Sequence, residues 1–129
     1  MTTKNLVFDN QFLKHFPVDE VIENYPRQVT QAYSWATPKK TAAPKLIAIT
    51  KTLALDLGLD TYEDSAMITE VLSGNRLLNG MKPYAMNYGG HQFGHWAGQL
   101  GDGRAINLTE VVHNNQRWAI QLKGAGETP

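Results

Sequence analysis

The chain contains no cysteine. That excludes disulfides and thiolate metal sites, and it fits a cytoplasmic protein. Charge of either sign is not in excess: 12 Lys and Arg balance 12 Asp and Glu across 129 residues. There is thus no electrostatic case for nucleic acid or a membrane surface as partner. No apolar run approaches the roughly 20 residues that cross a bilayer as a helix. The start, MTTKNLVFDNQF, carries Asp9 early and has no continuous apolar stretch of the secretory kind. Internal repeats and low-complexity tracts are missing too. What remains is an ordinary globular composition, enough for one domain or a piece of one, but too short for a two-lobed enzyme.

What the sequence does have is glycine in one place. Tyr88 to Glu110 reads YGGHQFGHWAGQLGDGRAINLTE, with six glycines from Gly89 to Gly103, and a lysine follows in QLKGAG at Lys123. Glycine lets a backbone approach phosphate closely, and an amine on a neighbouring strand offsets the charge. The run is neither a Walker A loop nor a dinucleotide fingerprint, since no Gly-Lys-Ser/Thr follows and no GxGxxG opens a helix.

The pattern around this run predicts a sheet. Tyr84 to Asn87 is strand-like, Gln92 to Leu100 reads as one glycine-punctuated strand, and Arg104 to Val112 is rich in β formers. His113-Asn114-Asn115-Gln116 reads as a hairpin turn. Arg117 to Lys123 then alternates, with Trp118, Ile120 and Leu122 on one face and Lys123 on the other. Earlier in the chain, residues 1–43 read as irregular, with a short helix over Val18 to Asn24 and with Tyr33 and Trp35 as aromatic anchors. A helix is expected over about 44–57, opened by Pro44 and closed by Gly58, and another over about 61–72.

Each candidate residue has a plain reading beside the functional one. Lys123 is either a solvated strand-end lysine or a cation facing a ligand. Gly101-Asp102-Gly103-Arg104 is either a tight turn or a phosphate-facing loop, with Arg104 as a bidentate donor that a bulge at Gly103 would re-aim. His91 and His95 stand four apart, but so glycine-rich a segment is no helix, and packing or hydrogen bonding is their default role. Phe93, Trp96 and Trp118 read as core residues.

Taken together, YGGHQFG, WAGQLGDGRA and QLKGAG, in this order and spacing, resemble the selenoprotein O family, also called the YdiU family of protein adenylyltransferases. The resemblance covers about Tyr25 to Pro129. It implies an α+β chain forming the N-terminal part of a protein-kinase-like fold, a helical N-terminal region packed on a small antiparallel β-sheet. It implies a pseudokinase that binds ATP in a flipped orientation and transfers AMP to Ser, Thr or Tyr hydroxyls of proteins, with Mg²⁺ or Mn²⁺. Carried over to this chain, Lys123 matches the lysine that contacts ATP phosphate, and Gly101, Gly103 and Arg104 match the nucleotide-contacting GDGR. The catalytic Asp, the metal-binding Asn and Asp and further phosphate-binding arginines are expected beyond Pro129, so the chain alone is expected to be inactive and to hold no metal ligand. Its end inside a loop, ETP, reads as the interior of a longer polypeptide. The rival reading is a non-catalytic interaction module whose glycine turn is purely structural. A redox role finds no support in residues without cysteine.

Overall fold

The alternation at the end of the chain forms one arm of a long antiparallel hairpin. In the computed structural model, which describes residues 6–59, 66–101 and 103–129, strand β7 (Ala105–His113) pairs with β8 (Gln116–Lys123) from Ala105 opposite Lys123 to His113 opposite Gln116. Asn114 and Asn115 make the turn at φ 48° and 63°. Both sit in the left-handed region, which asparagine tolerates and which matches the twist of the flanking strands. Leu122 is buried and Trp118 and Ile120 half-buried, while Arg117, Ala119, Gln121 and Lys123 are exposed. The register slips once, between Asn107 and Thr109, so that Leu108 is an extra residue in β7 and is fully buried.

Strand β7 is the centre of a six-stranded sheet. Besides β8 it pairs antiparallel with β1 (Val7–Phe8) at Val111 and Val112, and with β4 (Tyr84–Met86) at Asn107. Beyond β4 lie β3 (Tyr33–Trp35) and β2 (Val18–Asp19). The sheet departs from the antiparallel expectation at its far edge, where β2 and β3 run parallel. The result is a mixed α+β fold, mostly sheet with few helices.

Helices α2 (Lys51–Leu57) and α3 (Ala66–Leu72) cover one face of the β7–β8 hairpin. Ala54, Met67, Ile68 and Val71 pack with Leu108 and Leu122 in the main core. Fully burying an aliphatic side chain of this size contributes about 1.5–3 kcal/mol. Gly58, at φ 74°, closes α2 by donating its amide back to the last turn. Helix α2 is shorter than the 44–57 expected: its N-cap Thr50 is extended and residues 44–50 are irregular. Ile47, Ile49 and Thr50 are β-branched and poor helix formers. Ile49 still packs on the core, so the apolar spacing is used without helix. Of the helix expected over 61–72, residues 61–65 lie outside the described residues, and the described part begins at Ala66.

The first 43 residues carry more structure than their pattern suggests. The helix expected over Val18 to Asn24 does not form. Asp19 is buried, and its carboxylate accepts from Val21 N (3.1 Å), Thr30 N (2.9 Å), Thr30 Oγ1 (3.1 Å) and Arg27 Nη1 (3.0 Å). An aspartate that takes the amide two residues on holds a turn and competes with helix. Helix α1 (Gln11–His15) forms instead, seven residues earlier. Its own N-cap, Asn10, makes no side-chain cap. The cap comes from β7: Glu110 accepts from the amides of Gln11 (2.9 Å) and Phe12 (3.0 Å).

Two outcomes follow from these carboxylates. Glu110→Ala should cost about 1–3 kcal/mol in urea unfolding, since it orphans two amides that a charged acceptor now satisfies. The hydrogen bonds from Thr30 and Val21, with the neighbouring Arg27, hold the Asp19 carboxyl well below its ordinary value of 3.8. A depressed carboxylate contributes stability above its unfolded pKa and loses it as pH falls through the folded one. Asp19→Asn should therefore destabilise the protein at neutral pH and flatten the acid limb of its stability profile below about pH 4, measured as thermal midpoint against pH.

Candidate nucleotide site

The glycine turn and the lysine meet. Gly101 and Gly103 lie between the glycine-rich hairpin and β7, at φ 61° and 64°; Asp102 lies outside the described residues. A Cβ added at Gly103 would sit 3.7 Å from the Lys123 Nζ. The ammonium thus stands over bare backbone, with room that a side chain at 103 would take. Gly101 does a different job: a Cβ there would lie 3.3 Å from the Met86 carbonyl oxygen, so its lack of a side chain serves the close crossing of two chain segments.

Arg104 immediately precedes the first paired residue of β7. It needs no bulge at Gly103 to be aimed, because strand parity does not yet bind it; the one slip in β7 is further on, at Leu108. Its carbonyl accepts from the Gly124 amide (2.9 Å), and its Nη2 lies 3.5 Å from the Gly124 oxygen. Arg104 and Lys123 are both exposed, and Arg104 lines an open cleft of about 390 Å³ with Pro26, Leu100, Gly103, Glu127, Thr128 and Pro129. Two cations flanking a glycine turn suit an anionic ligand with several phosphate oxygens. Among the described residues no group of three or more His, Cys, Asp or Glu side chains is placed to hold a metal ion.

Before this turn the structure departs from the sequence pattern. In place of one strand over Gln92 to Leu100 there is a second hairpin, β5 (Gly89–Gln92) and β6 (His95–Gln99), which among the described residues pair only with each other. Phe93 and Gly94 turn it, at φ 51° and 82°. Phe93 is 99% exposed and Trp96 64% exposed, so neither is the core residue expected; the turn puts Phe93 at its outer corner. Trp118, half-buried, does face the core side. His91 lies opposite Trp96 with ring centroids 5.3 Å apart, a packing contact. A Cβ at Gly89 would overlap the Trp96 ring, at 2.3 Å from Cη2.

The sequence pattern misses an aromatic face beside the lysine. Opposed residues share a face. Tyr84 opposes Asn107, Asn107 opposes Gln121, and Gln121 is two residues from Lys123. On that face Phe12 of α1 stacks on Tyr84 (5.3 Å) and on Phe16 (4.7 Å), and Tyr33 meets Tyr84 edge-on (5.3 Å). Tyr33 and Trp35 do act as anchors, 5.4 Å apart. Phe12 has no signal of its own in a five-residue helix capped from a distant strand.

Known proteins bear on this geometry. Residues 19–129 match the family model described as protein adenylyltransferase SelO. The chain is 55% identical over 130 residues to the protein nucleotidyltransferase YdiU of Rhodopirellula baltica, a match covering 98% of this chain and 24% of the relative. The YdiU proteins of Tolumonas auensis and an Azoarcus species are 52% and 54% identical, each match covering 96% of this chain and 24% of the relative. The chain thus spans about a quarter of the length of these relatives. Among the described residues no helix is long and apolar enough to cross a membrane.

The turn can be tested apart from any ligand. Gly103→Ala should cost about 1–2 kcal/mol in urea unfolding, the price of a left-handed non-glycine residue. Gly101→Ala should cost more, because the Met86 carbonyl stands in the way as well. The reverse order would mean that the Gly101 crossing is slack.

Proposed function

The chain belongs to the SelO family of protein adenylyltransferases, and on that premise we propose that it is the ATP-binding lobe of such an enzyme, a kinase-like N-lobe that holds one wall of the nucleotide site. The observation that carries the reading is the Lys123 ammonium standing over the bare backbone of Gly103, with Arg104 following Gly103 in the chain. Lys123 and Arg104 would offset the charge of the ATP phosphates, and the glycines would let those oxygens approach the backbone.

In AMP transfer a Ser, Thr or Tyr hydroxyl oxygen of a protein substrate bonds to the α-phosphorus. The bond from that phosphorus to the bridging oxygen of pyrophosphate breaks, and the hydroxyl proton is lost to a base. In this scheme Lys123 and Arg104 act by position and charge. No residue among those described here is assigned as the base. A divalent cation, Mg²⁺ or Mn²⁺, would neutralise phosphate oxygens further, and in this reading its ligands belong to the length that the relatives have in addition. Both walls of a kinase-like cleft are needed for positioning, so residues 1–129 alone are inactive in this reading. The absence of cysteine suits a cytoplasmic location.

Lys123→Ala in the full-length protein should lower kcat/KM for AMP transfer by about 100-fold or more, the scale of losing one preorganised charge-stabilising donor. Its unfolding free energy should stay within about 0.5 kcal/mol of wild type, as for an exposed side chain. Wild-type transfer rates in that variant would remove Lys123 from the site.

A further inference from the structure

Among the described residues the β5–β6 hairpin has no strand partner in the main sheet. Its strand residues are exposed or half-buried, so apolar packing does little to fix its angle. Two carboxamides at its feet do that work. Gln99, the last residue of β6, accepts through Oε1 from the Val29 amide (2.8 Å) and the Gln28 Nε2 (2.8 Å), and donates through Nε2 to the Arg27 carbonyl (2.9 Å). Asn87, just before β5, donates through Nδ2 to the carbonyls of Val29 (3.2 Å) and Gln31 (2.8 Å), and its amide donates to Ala32 O (2.9 Å). Both feet therefore stand on one strap, residues 27–32.

The strap is itself locked. Arg27 and Asp19 form a nearly dry ion pair, with side chains 11% and 4% exposed. Arg27 Nη2 donates to the Val21 carbonyl (3.0 Å) and to the Ser34 hydroxyl of β3. A buried pair is held in place only when its remaining donors and acceptors find partners, and most of these do. The same base joins the glycine turn: Leu100 N donates to Tyr88 O (2.9 Å), and Gly101 follows directly.

We propose that Gln99 is a positioning residue for ATP: it ties the glycine-rich hairpin to the 27–32 strap and so sets the angle at which the hairpin and the Gly101–Gly103 turn meet a nucleotide at Lys123. The inference rests on the nucleotide reading above. Gln99 touches no reacting group; it acts through the hairpin. The strap is the fixed part, and a mobile hairpin would have to be ordered by ATP itself, which weakens apparent affinity.

The test uses the full-length protein with Gln99→Met, which keeps the stem and removes both polar atoms, Gln99→Glu, which keeps only the acceptor, and Asn87→Ala as a second foot. Two quantities are read: backbone amide exchange over residues 88–99 in the absence of nucleotide, and KM for ATP against kcat for AMP transfer. The expected result for Gln99→Met is exchange in the hairpin faster by about tenfold or more, unchanged exchange over 105–123, and KM for ATP raised about tenfold with kcat within about twofold. Gln99→Glu should fall between, and Asn87→Ala should move both readings the same way. Unchanged hairpin exchange overturns the proposal whatever the kinetics. Faster exchange with an unaltered KM overturns the link to ATP and leaves Gln99 a structural tie. A wild-type protein that neither binds ATP nor transfers AMP overturns the proposed function itself, and is told apart because the exchange reading still judges the tie.

Discussion

Everything in this fold is referred to β7, and β7 works because its buried polar groups are satisfied from far away. Asn107, Thr109 and Glu110 are all buried. A buried polar group without a partner costs several times what a hydrogen bond contributes in net terms. Thr109 donates its hydroxyl proton to Asn10 Oδ1 (2.7 Å), and Glu110 collects the first amides of α1, nearly a hundred residues away in sequence. Asn107 accepts from Gln121 across the hairpin (3.2 Å). These groups force the N-terminal segment to return to the centre of the sheet. That return brings Phe12 against Tyr84 and builds the aromatic face beside Lys123.

The chain around the candidate site has two mechanical characters. Lys123 belongs to the β7–β8 hairpin and Arg104 leads into it, backed by a core that includes Leu108 and Leu122. The glycines preceding them belong to a small hairpin that hangs from side-chain hydrogen bonds. The candidate site thus joins a lysine held by core packing to a glycine-rich segment held at its feet by hydrogen bonds.

How much of this could be read from the sequence depended on the reach of each interaction. The facing of Trp118, Ile120, Leu122 and Lys123 was legible because a two-residue alternation is local, and so were the Asn114-Asn115 turn and the Gly58 cap. The meeting of Gly103 with Lys123 was legible only as a shared motif; its geometry comes from strand pairing. The Phe93-Gly94 turn was hidden because phenylalanine is an unusual residue at positive φ, so the hairpin looked like one strand. Residues 44–50 have helical spacing without helix, since Ile49 reaches the core from an irregular segment. Val18-Asp19 and Gln11–His15 were illegible for a common reason: Asp19 answers to Thr30 and Arg27, and the first amides of α1 answer to Glu110.

The extra residue at Leu108 divides β7 into two halves of opposite parity. Ile106 opposes Leu122 on the site side of it, and Thr109 opposes Ile120 on the other. Without that residue Thr109 would follow Asn107 directly and still oppose Ile120, so deleting Leu108 would leave Glu110 opposite Ala119 and Val111 opposite Trp118. Ala105 would still oppose Lys123. A one-residue difference in length at this point is therefore absorbed by the bulge and reaches neither the N-terminal segment nor the lysine, so the part of the strand beside the candidate site and the part that holds the fold together each keep their facing.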